Sequence, residues 1–390
     1  MRFKEAIEEC HKALKRLQSM MRTLPLHDIH STLGAHLKQV LDWEVPAHYG
    51  DTQEEHLAVR KNVGIADLSY RGLIRITGPD RTKFLQGLIT NDVMGLTEGQ
   101  GLYAAILNPK GRMLADLRIY AIQEALLVDL DREITDKTVQ ILNRYKLISK
   151  AKLEDLTDSL VHLAVYGPSA KPLLEKVLGS PLPHPPQEDL EFSSIPVQWR
   201  GQPIYIIQSM YTGEEGYDLL VPAQQGGALW KEVLDAGSSF GIRPIGLEAL
   251  ESLRVEAGIP RYGIDMDENT FPPEAGLEEK AISYTKGCYV GQETIARIKT
   301  YGQVHRKLMG LILEAGPSDP LPQHNDKILK NGEEAGFVTS AVHSPVLNKN
   351  IALGYIRRKM IQADLQVTVV SSQDGAKTPA KVVGLPFYKK

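Results

Sequence analysis

The stretch LIRITGPDRTKFLQGL, residues 73–88, joins a short apolar run, a Gly-Pro pair and a segment whose apolar residues have helical spacing. A second stretch, LVHLAVYGPSAKPLLEKVL at residues 160–178, has the same features in the same order. Proline near the first turn of a helix costs no hydrogen bond, because the N–H that it lacks has no partner there. Both stretches therefore predict a strand, a turn and a helix, and their repetition predicts two related α+β halves.

A β-hairpin pattern follows each of these stretches. It is LYAAILNPKGRMLADLRIYAI, residues 102–122, after the first stretch and PIYIIQSMYTGEEGYDLLV, residues 203–221, after the second. A ligand site between two such halves is the natural expectation. The segment 303–390 differs, because its short apolar runs are separated by proline-rich turns and by Asn331-Gly332. This pattern is typical of a small β-barrel.

The composition excludes several classes of protein. A chain of 390 residues exceeds what one hydrophobic core supports, so more than one domain is expected. The net charge of −3 argues against a surface that coats nucleic acid. The two cysteines, Cys10 and Cys288, cannot form a disulfide framework, which favours a cytoplasmic protein. No metal site is predicted, since His27 and His30 have no further ligands nearby.

The first 21 residues, MRFKEAIEECHKALKRLQSMM, have the apolar spacing of an amphipathic helix. This segment has no apolar core typical of a signal peptide, and its acidic residues argue against a transit peptide. No later segment approaches 18 uninterrupted apolar residues, so we expect no membrane span. Cys10 is interpreted as a small hydrophobe on the buried stripe of this helix.

The first hairpin predicts a polar face. A four-residue turn at 108–111 would place Tyr103 opposite Asp116, and strand alternation would put Asp116, Arg118 and Tyr120 on one face. The second hairpin carries Glu214 between glycines, and the pseudo-symmetry would direct this carboxylate toward Asp116. A solvated outer face is the alternative. Paired carboxylates and tyrosines suit a flat ligand with N–H donors, and pterins have that shape.

Several segments carry a resemblance to a known family. They are 25–93, YTGEEGYDLLV at 211–221, IGLEALESLRVEAGIPRYGIDMDENTFPPEAGLE at 245–278 and KGCYVGQETIARIKTYGQVHRKLMGLIL at 286–313. In this order they resemble motifs of the glycine cleavage system T-protein (aminomethyltransferase) family. The resemblance covers nearly everything from Leu26 to Lys390. It implies an α+β fold of three domains in a cloverleaf around a central folate channel, with two related α+β halves and a C-terminal β-barrel.

The resemblance also implies domain bounds and a ligand. We expect an N-terminal helix at 1–25, a first α+β, folate-binding domain at 26–160 and 245–302, a second α+β domain at 161–244 and a β-barrel domain at 303–390. The implied ligand is tetrahydrofolate or a one-carbon derivative of it. The implied folate-contacting residues are Tyr103, Asp116, Tyr120 and Glu214.

One motif points to a particular branch of the family. Its residues are Lys286, Gly287, Cys288, Tyr289, Gly291, Gln292 and Glu293. This motif resembles that of the YgfZ-type branch, which implies a folate-binding accessory protein that supports iron–sulfur enzymes, including tRNA-modifying ones. Iron–sulfur client enzymes or assembly factors are then expected partners. Two departures from the T-protein pattern argue against aminomethyl transfer: Ala115 replaces the first of two usual aspartates, and Leu250 replaces a usual arginine.

Cys288 and Asp116 are the candidate catalytic residues. Cys288 would lie just upstream of a helix that begins near Glu293, and Lys286 is two residues away, so both favour a thiolate. The alternative is a buried cysteine that fills a tight turn. Three functions stay open: the iron–sulfur accessory factor, a folate-dependent aminomethyltransferase or one-carbon demethylase, and a folate-binding scaffold with a structural thiol.

Overall fold

The computed structural model describes residues 21–183, 191–302, 304–316 and 319–390. The expected helix at 1–25 lies outside these ranges except for its last five residues, and within them Arg22–Thr23 forms a short strand. Cys10 also lies outside the described ranges. None of the described helices is long and apolar enough to cross a membrane.

The first half is built on an antiparallel five-stranded sheet. Its strands, in spatial order, are Gly101–Leu107, Met113–Ile122, Ala125–Leu130, Gly72–Thr77 and Lys152–Asp155. The helices Arg81–Gln86 and Arg132–Tyr145 pack on one face. Met113, Ala115, Leu117 and Ile119 are buried on that face, as the alternation of the sequence predicts.

The second half is built on a six-stranded sheet. Its strands, in spatial order, are Ser194–Trp199, Gln202–Ser209, Gly216–Pro222, Leu160–Tyr166, Val63–Asp67 and Ile242–Pro244. The helices Ala170–Leu178 and Ala223–Gly237 cover one face, and Thr52–Lys61 and Leu247–Glu256 cover part of the other. The strand Val63–Asp67 belongs to the range expected for the first domain, yet it pairs with Leu160–Tyr166 in the second sheet.

The repeated strand–turn–helix is present in both halves. Gly78 and Gly167 follow the strands with φ angles of +99° and +129°, which favour glycine. A Cβ on Gly78 would lie 2.1 Å from the Lys150 carbonyl oxygen, and a Cβ on Gly167 would lie 2.5 Å from the Asn62 carbonyl oxygen. Both turns therefore need glycine for the same reason, the close approach of another backbone segment.

The predicted C-terminal barrel is confirmed. Its strands, in order around the closed barrel, are Arg306–Leu313, Lys349–Arg357, Glu333–Ser344, Lys327–Lys330, Gln366–Val370 and Lys377–Val383. Asn331 and Gly332 form a two-residue hairpin turn with φ angles of +50° and +84°. This is the geometry that an Asn-Gly pair favours between two strands.

Smaller elements connect these parts. A three-stranded sheet contains Arg22–Thr23, Trp43–His48 and His36–Val40. The remaining helices are His27–Thr32, Glu278–Ala281 and Gln292–Tyr301, and the 3₁₀ helices are Ser238–Phe240, Pro272–Ala275 and Arg358–Met360.

A buried ion pair joins the α+β part to the barrel. The Arg254 guanidinium donates to Asp265 Oδ2 at 2.6 Å and to Ser340 Oγ of the barrel at 2.8 Å. The other oxygen of Asp265 accepts hydrogen bonds from Thr339 and Ser340 at 2.5 and 2.7 Å. Because Asp265 is fully buried, its charge depends on Arg254 for compensation, whereas Arg254 also donates to both oxygens of Glu251.

Replacing Asp265 should destabilise the protein strongly. Asp265→Asn removes one of the two carboxylate charges on the buried Arg254 and weakens the hydrogen bonds from Thr339 and Ser340, so we expect the free energy of unfolding to fall by about 2 kcal/mol. Urea denaturation measures this loss. The matched control is Glu293→Gln, which breaks an exposed ion pair with Arg297 and should change stability by less than about 0.5 kcal/mol. Equal stabilities of the two variants would contradict the assignment.

Candidate functional site

The hairpin that carries Asp116 has a different register from the one predicted. Tyr103 pairs with Arg118, and Asp116 pairs with Ala105, so the expected pairing of Tyr103 with Asp116 is wrong by two residues. One cause is a longer turn, in which Asn108 N–H donates to the Arg112 carbonyl at 2.8 Å. The other is a bulge beside Ile106. A shift of two residues leaves every side chain on its predicted face, so Tyr103 and Asp116 become diagonal neighbours.

Asp116 has one satisfied oxygen and one unsatisfied oxygen. The Tyr103 hydroxyl donates to Asp116 Oδ2 at 2.7 Å. Asp116 Oδ1 is inaccessible to solvent and has no hydrogen-bond partner among the described residues. An acceptor buried without a partner costs free energy, so its presence is characteristic of a site that a ligand completes.

Asp116 lines a cavity of about 340 Å³. Its lining comprises Arg71, Tyr103, Asp116, Arg118, Asp129, Asp131, Glu191, Phe192, Ser209, Tyr211, Ala257, Gly258, Ile259, Pro260, Arg261, Ala275, Gly276, Leu277, Lys280, Leu385 and Pro386. Both α+β halves and the segment after the barrel contribute. The cavity therefore lies where the halves meet, as the repeated architecture predicts.

The segment after the barrel closes one side of this cavity. Leu385 and Pro386 belong to its wall. The next two residues are anchored, because Phe387 N–H and Tyr388 N–H both donate to the Glu256 carbonyl at 2.9 and 3.0 Å. The Tyr388 ring also lies 4.1 Å from the guanidinium carbon of Arg60.

The environment of Asp116 raises the pKa of its carboxyl to about 6. Burial is the main cause, and the nearby charge of Asp131 adds to it. The hydrogen bond from Tyr103 and the charge of Arg118 act in the opposite direction. Asp116 is therefore a carboxylate that changes its protonation state close to neutral pH.

A group of paired charges forms the adjoining wall. Arg71 donates to Asp129 Oδ1 at 2.7 Å and to Asp131, and Arg118 donates to Asp129 Oδ2 at 3.1 Å. Burial alone would raise the pKa of Asp129, but the charges of Arg71 and Arg118 outweigh it and hold that pKa well below its usual range. Asp129 is thus a permanently ionised partner of the two arginines, in contrast to Asp116.

The structure does not bring Tyr120 and Glu214 to the cavity. Tyr120 lies on the predicted face, but it is buried between the two sheets against Leu127 and Ile207. Glu214 is buried beside the Arg60 guanidinium, at 3.4 Å, and its other oxygen lies 3.4 Å from Lys390 Nζ. Both side chains have partners elsewhere, so neither lines the cavity.

Sequence reasoning missed several cavity residues. The Phe192 ring stacks on Tyr103 with centroids 6.2 Å apart and an angle of 10° between the planes. Tyr211 and the pair Asp129 and Asp131 also line the cavity. The alternation in VDLD, residues 128–131, on the strand next to Arg118 could have indicated the two aspartates. Phe192 follows no periodic segment, so the sequence carries no comparable signal for it.

The lysine of the Lys-Gly-Cys-Tyr motif has a structural role. Lys286 Nζ donates to the carbonyl oxygens of Gln86, Ile89 and Asn91 at 2.7, 2.7 and 2.8 Å. All three donors of the ammonium group are thereby satisfied. Burial lowers the pKa of Lys286 to about 8. The amine therefore fixes the loop at 86–91.

The other motif residues explain the packing of the same region. Tyr289 is buried in the core of the first half. Gly291 has a φ angle of +84°, and a Cβ there would lie 2.6 Å from the Asn108 carbonyl oxygen of the hairpin turn. Gln292 begins the helix Gln292–Tyr301, as predicted to within one residue, and Glu293 pairs with Arg297 on its surface. Gly287 has open space around it.

Cys288 is exposed and is not part of the cavity lining. The structure therefore does not support its interpretation as a buried cysteine that fills a turn. It also does not bring Cys288 together with Asp116, the other candidate catalytic residue.

Comparison with known proteins identifies the family of the chain. Residues 26–286 match the model of the GCVT N-terminal domain, and residues 306–389 match that of the glycine cleavage T-protein C-terminal barrel domain. The chain belongs to the glycine cleavage T-protein family. An aminomethyltransferase from Geobacillus sp. (strain WCH70) is 32% identical over 95% of this chain and 100% of its own length. One from Halothermothrix orenii is 34% identical over 94% and 100%.

A solved T-protein has the same fold. The glycine cleavage system aminomethyltransferase T from Bartonella henselae superposes with a TM-score of 0.84 at 27% identity, covering 95% of this chain and 98% of that one. The predicted T-protein fold, with two α+β halves and a C-terminal barrel, is thereby confirmed. The family uses tetrahydrofolate. Assignment to the YgfZ-type branch receives no support from these relatives, which are named aminomethyltransferases.

The ionised carboxylate of Asp116 should lower the free energy of unfolding at neutral pH. Its pKa in the folded protein, about 6, exceeds the ordinary value of 3.8, so burying the ionised carboxylate costs stability above pH 6 and costs nothing below about pH 4. Asp116→Asn should therefore stabilise the protein by about 1–3 kcal/mol at pH 8. Urea denaturation at pH 8 and pH 4 measures the difference. A gain that is equal at both pH values would contradict the shifted pKa.

Lys286 and Cys288 should differ sharply in their effect on stability. Lys286→Met leaves three carbonyl oxygens without their donor, and we expect a loss of about 2–4 kcal/mol. Cys288→Ser changes an exposed side chain and should alter stability by less than about 0.5 kcal/mol. Thermal and urea denaturation measure both. The Cys288 thiol should also react with iodoacetamide in the folded protein, and inertness until unfolding would contradict its exposure.

Proposed function

We propose that this protein is a folate-dependent one-carbon transferase of the aminomethyltransferase type. The observation that carries the proposal is the unsatisfied, buried Oδ1 of Asp116 in a cavity with aromatic side chains. A reduced pterin has N–H donors for such an acceptor and a flat face for aromatic contacts. The acceptor and the aromatic rings of the cavity therefore fit tetrahydrofolate.

Three aromatic residues and Asp116 would hold the folate. Tyr103, Phe192 and Tyr211 supply rings along the cavity, and Asp116 supplies the acceptor. Tetrahydrofolate, when bound, supplies the nitrogen that takes up the one-carbon unit. Asp116 would accept a hydrogen bond from that ligand and orient it, while the Tyr103 hydroxyl holds the carboxylate in position.

The protonation behaviour of Asp116 suits acid–base chemistry. A general base works best when its pKa lies close to the working pH, and the pKa of Asp116 is about 6. Asp116 is therefore mostly ionised at pH 7 and accepts a proton without a large energetic penalty. Its neighbour Asp129 cannot take this role, since two arginines keep it ionised.

The iron–sulfur accessory function has weaker support. Its basis is the motif around Cys288. In this structure Lys286 of that motif binds a loop and Tyr289 packs in the core of the first half. The exposed thiol of Cys288 lies apart from the cavity lining. The relatives named aminomethyltransferase favour the transferase. Iron–sulfur client proteins are accordingly not part of the proposal.

The test is formation of methylene-tetrahydrofolate from tetrahydrofolate and an aminomethyl-loaded lipoyl carrier protein. Asp116→Asn should lower kcat at least a hundredfold, because the variant cannot accept a proton. Tyr103→Phe should lower it about tenfold, through loss of one hydrogen bond to Asp116. The wild-type rate should fall as the pH drops below 6, where Asp116 becomes protonated.

The control variant is Asp136→Asn, which changes an exposed carboxylate on the helix Arg132–Tyr145 and should keep the wild-type rate. A wild-type protein that binds tetrahydrofolate but shows no turnover would overturn the transferase. In that case, restoration of iron–sulfur enzyme activity in deficient cells by wild type but not by Cys288→Ser would favour the accessory function.

A further inference from the structure

A second chamber of about 220 Å³ adjoins the folate cavity. The residues common to both linings are Arg71, Arg118, Asp131, Tyr211 and Arg261. The second chamber continues past them to Tyr70 and to the apolar side chains of Leu68 and Leu250. A ligand bound in the first cavity would therefore contact side chains that also line the second.

The second chamber has a positive balance of charge. Its ionic lining consists of Lys38, Arg71, Arg118, Arg132 and Arg261 and of the carboxylates Asp131, Glu133 and Glu251. Most of these cations are already compensated at short range. Arg71 and Arg118 bind Asp129, and Arg132 donates to Asp136 at 3.1 Å.

Among these arginines, Arg261 has its nearest ion-pair partner at the greatest distance, and the charge of Asp131 in the same lining also acts on it. Its guanidinium lies 3.5 Å from Glu251 Oε2 and 3.8 Å from Glu133 Oε1. Both distances exceed those of a charge-assisted hydrogen bond, which are about 2.7–2.9 Å. Glu251 is also engaged already, because both of its oxygens accept from Arg254. The Arg261 donors thus have no short-range acceptor within the described parts of the chain.

Two hydroxyl groups add to this set of free donors. In the described ranges, the hydroxyls of Tyr70 and Tyr211 form no hydrogen bond. Burial raises the pKa of both tyrosines, so their hydroxyls stay protonated at neutral pH. The backbone of Arg261 is held in place, since its N–H donates to Asp265 Oδ2 at 3.0 Å. The chamber therefore presents three donor groups that have no short-range acceptor among the described residues.

We infer that the second chamber binds a carboxylate group of a ligand, with Arg261 as its anchor and the hydroxyls of Tyr70 and Tyr211 as additional donors. A guanidinium matches a carboxylate with two parallel hydrogen bonds. The apolar walls at Leu68 and Leu250 reduce competition from water, which strengthens such a contact. This inference rests on the proposed function, because the chamber shares five lining residues with the folate cavity.

The carboxylate has two possible sources. Tetrahydrofolate carries a glutamyl tail, and a small one-carbon donor such as an N-methyl amino acid also carries a carboxylate. The first cavity, at about 340 Å³, lies near the lower end of the range for drug-sized ligands, so a folate would need further room. The shared chemistry is a carboxylate at Arg261, and the experiment separates the two sources.

The test is isothermal titration calorimetry with three probes. Tetrahydrofolate has a pterin and carboxylates, 6-methyltetrahydropterin has the pterin alone, and N-methylglycine has a carboxylate alone. Arg261→Met should weaken tetrahydrofolate binding about ten- to a hundredfold and leave 6-methyltetrahydropterin unaffected. Arg261→Lys should restore part of the loss. The matched control is Arg75→Met, which removes a paired arginine outside both cavity linings and should keep the wild-type affinity.

The other outcomes either identify the source of the carboxylate or overturn the inference. If tetrahydrofolate binding is unchanged and N-methylglycine binding is lost, the chamber binds the carboxylate of a donor. Unchanged affinity for all three probes would overturn the inference, and so would an equal loss for 6-methyltetrahydropterin, since that loss would reflect a general structural role. Should Arg261→Met fail to fold, Tyr70→Phe replaces it, with an expected loss of about two- to tenfold.

The proposed function is tested separately by turnover of the wild-type protein. A missing turnover together with the Arg261 effect would refute the transferase and keep the carboxylate site. Normal turnover without the Arg261 effect would support the transferase and refute the carboxylate site.

Discussion

The compensation of buried charge between the two sheets determines how this molecule can be built. Arg71 and Arg118 arise from neighbouring parts of the first sheet, and both bind the carboxylate of Asp129. Ionic groups removed from water are tolerated only when partners surround them. These pairs therefore allow the polar face of the sheet to be buried against the second half. The same three side chains line the cavity between the halves.

Asp116 shows what the same environment does to a carboxylate without a cation of its own. It lies on the strand Met113–Ile122 together with Arg118, yet it has a tyrosine as its only hydrogen-bonding partner among the described residues. Two carboxylates in one cavity thus have opposite electrostatic roles. Asp129 stabilises the scaffold through its arginines, and Asp116 retains an unused acceptor and a pKa near neutrality. The two carboxylates lie on neighbouring strands of one sheet, so a difference in their partners is enough to shift their pKa values in opposite directions.

Much of the fold could be predicted from the sequence because its signals are local. The Gly-Pro turns at 78 and 167 and the Asn-Gly turn at 331 each specify a backbone geometry that few other residues adopt. The face of Asp116 was also predictable, because alternation along a strand survives an error of two residues in the register. Alternation does not predict which positions along that face are covered by another sheet. Tyr120 lies on the same face as Asp116 but at a point where the second sheet covers it.

The remaining parts of the site depend on contacts between distant segments. Lys286 binds carbonyl groups of a loop about two hundred residues earlier, and nothing near it in the sequence indicates this partner. The turn around Glu214 could direct its carboxylate in more than one direction. Ion pairs with Arg60 and Lys390, which lie in opposite parts of the chain, determine its position. Local patterns cannot specify such partners, because each results from the docking of complete elements.

The wall formed by Leu385 and Pro386 has a consequence for the order of events during synthesis. The two halves leave the ribosome before the barrel does, and domains fold as units while translation continues. Until the segment that follows Val383 docks on the Glu256 carbonyl, the cavity lacks one of its sides. Enclosure of the cavity therefore has to wait until the residues that follow the barrel have been synthesised.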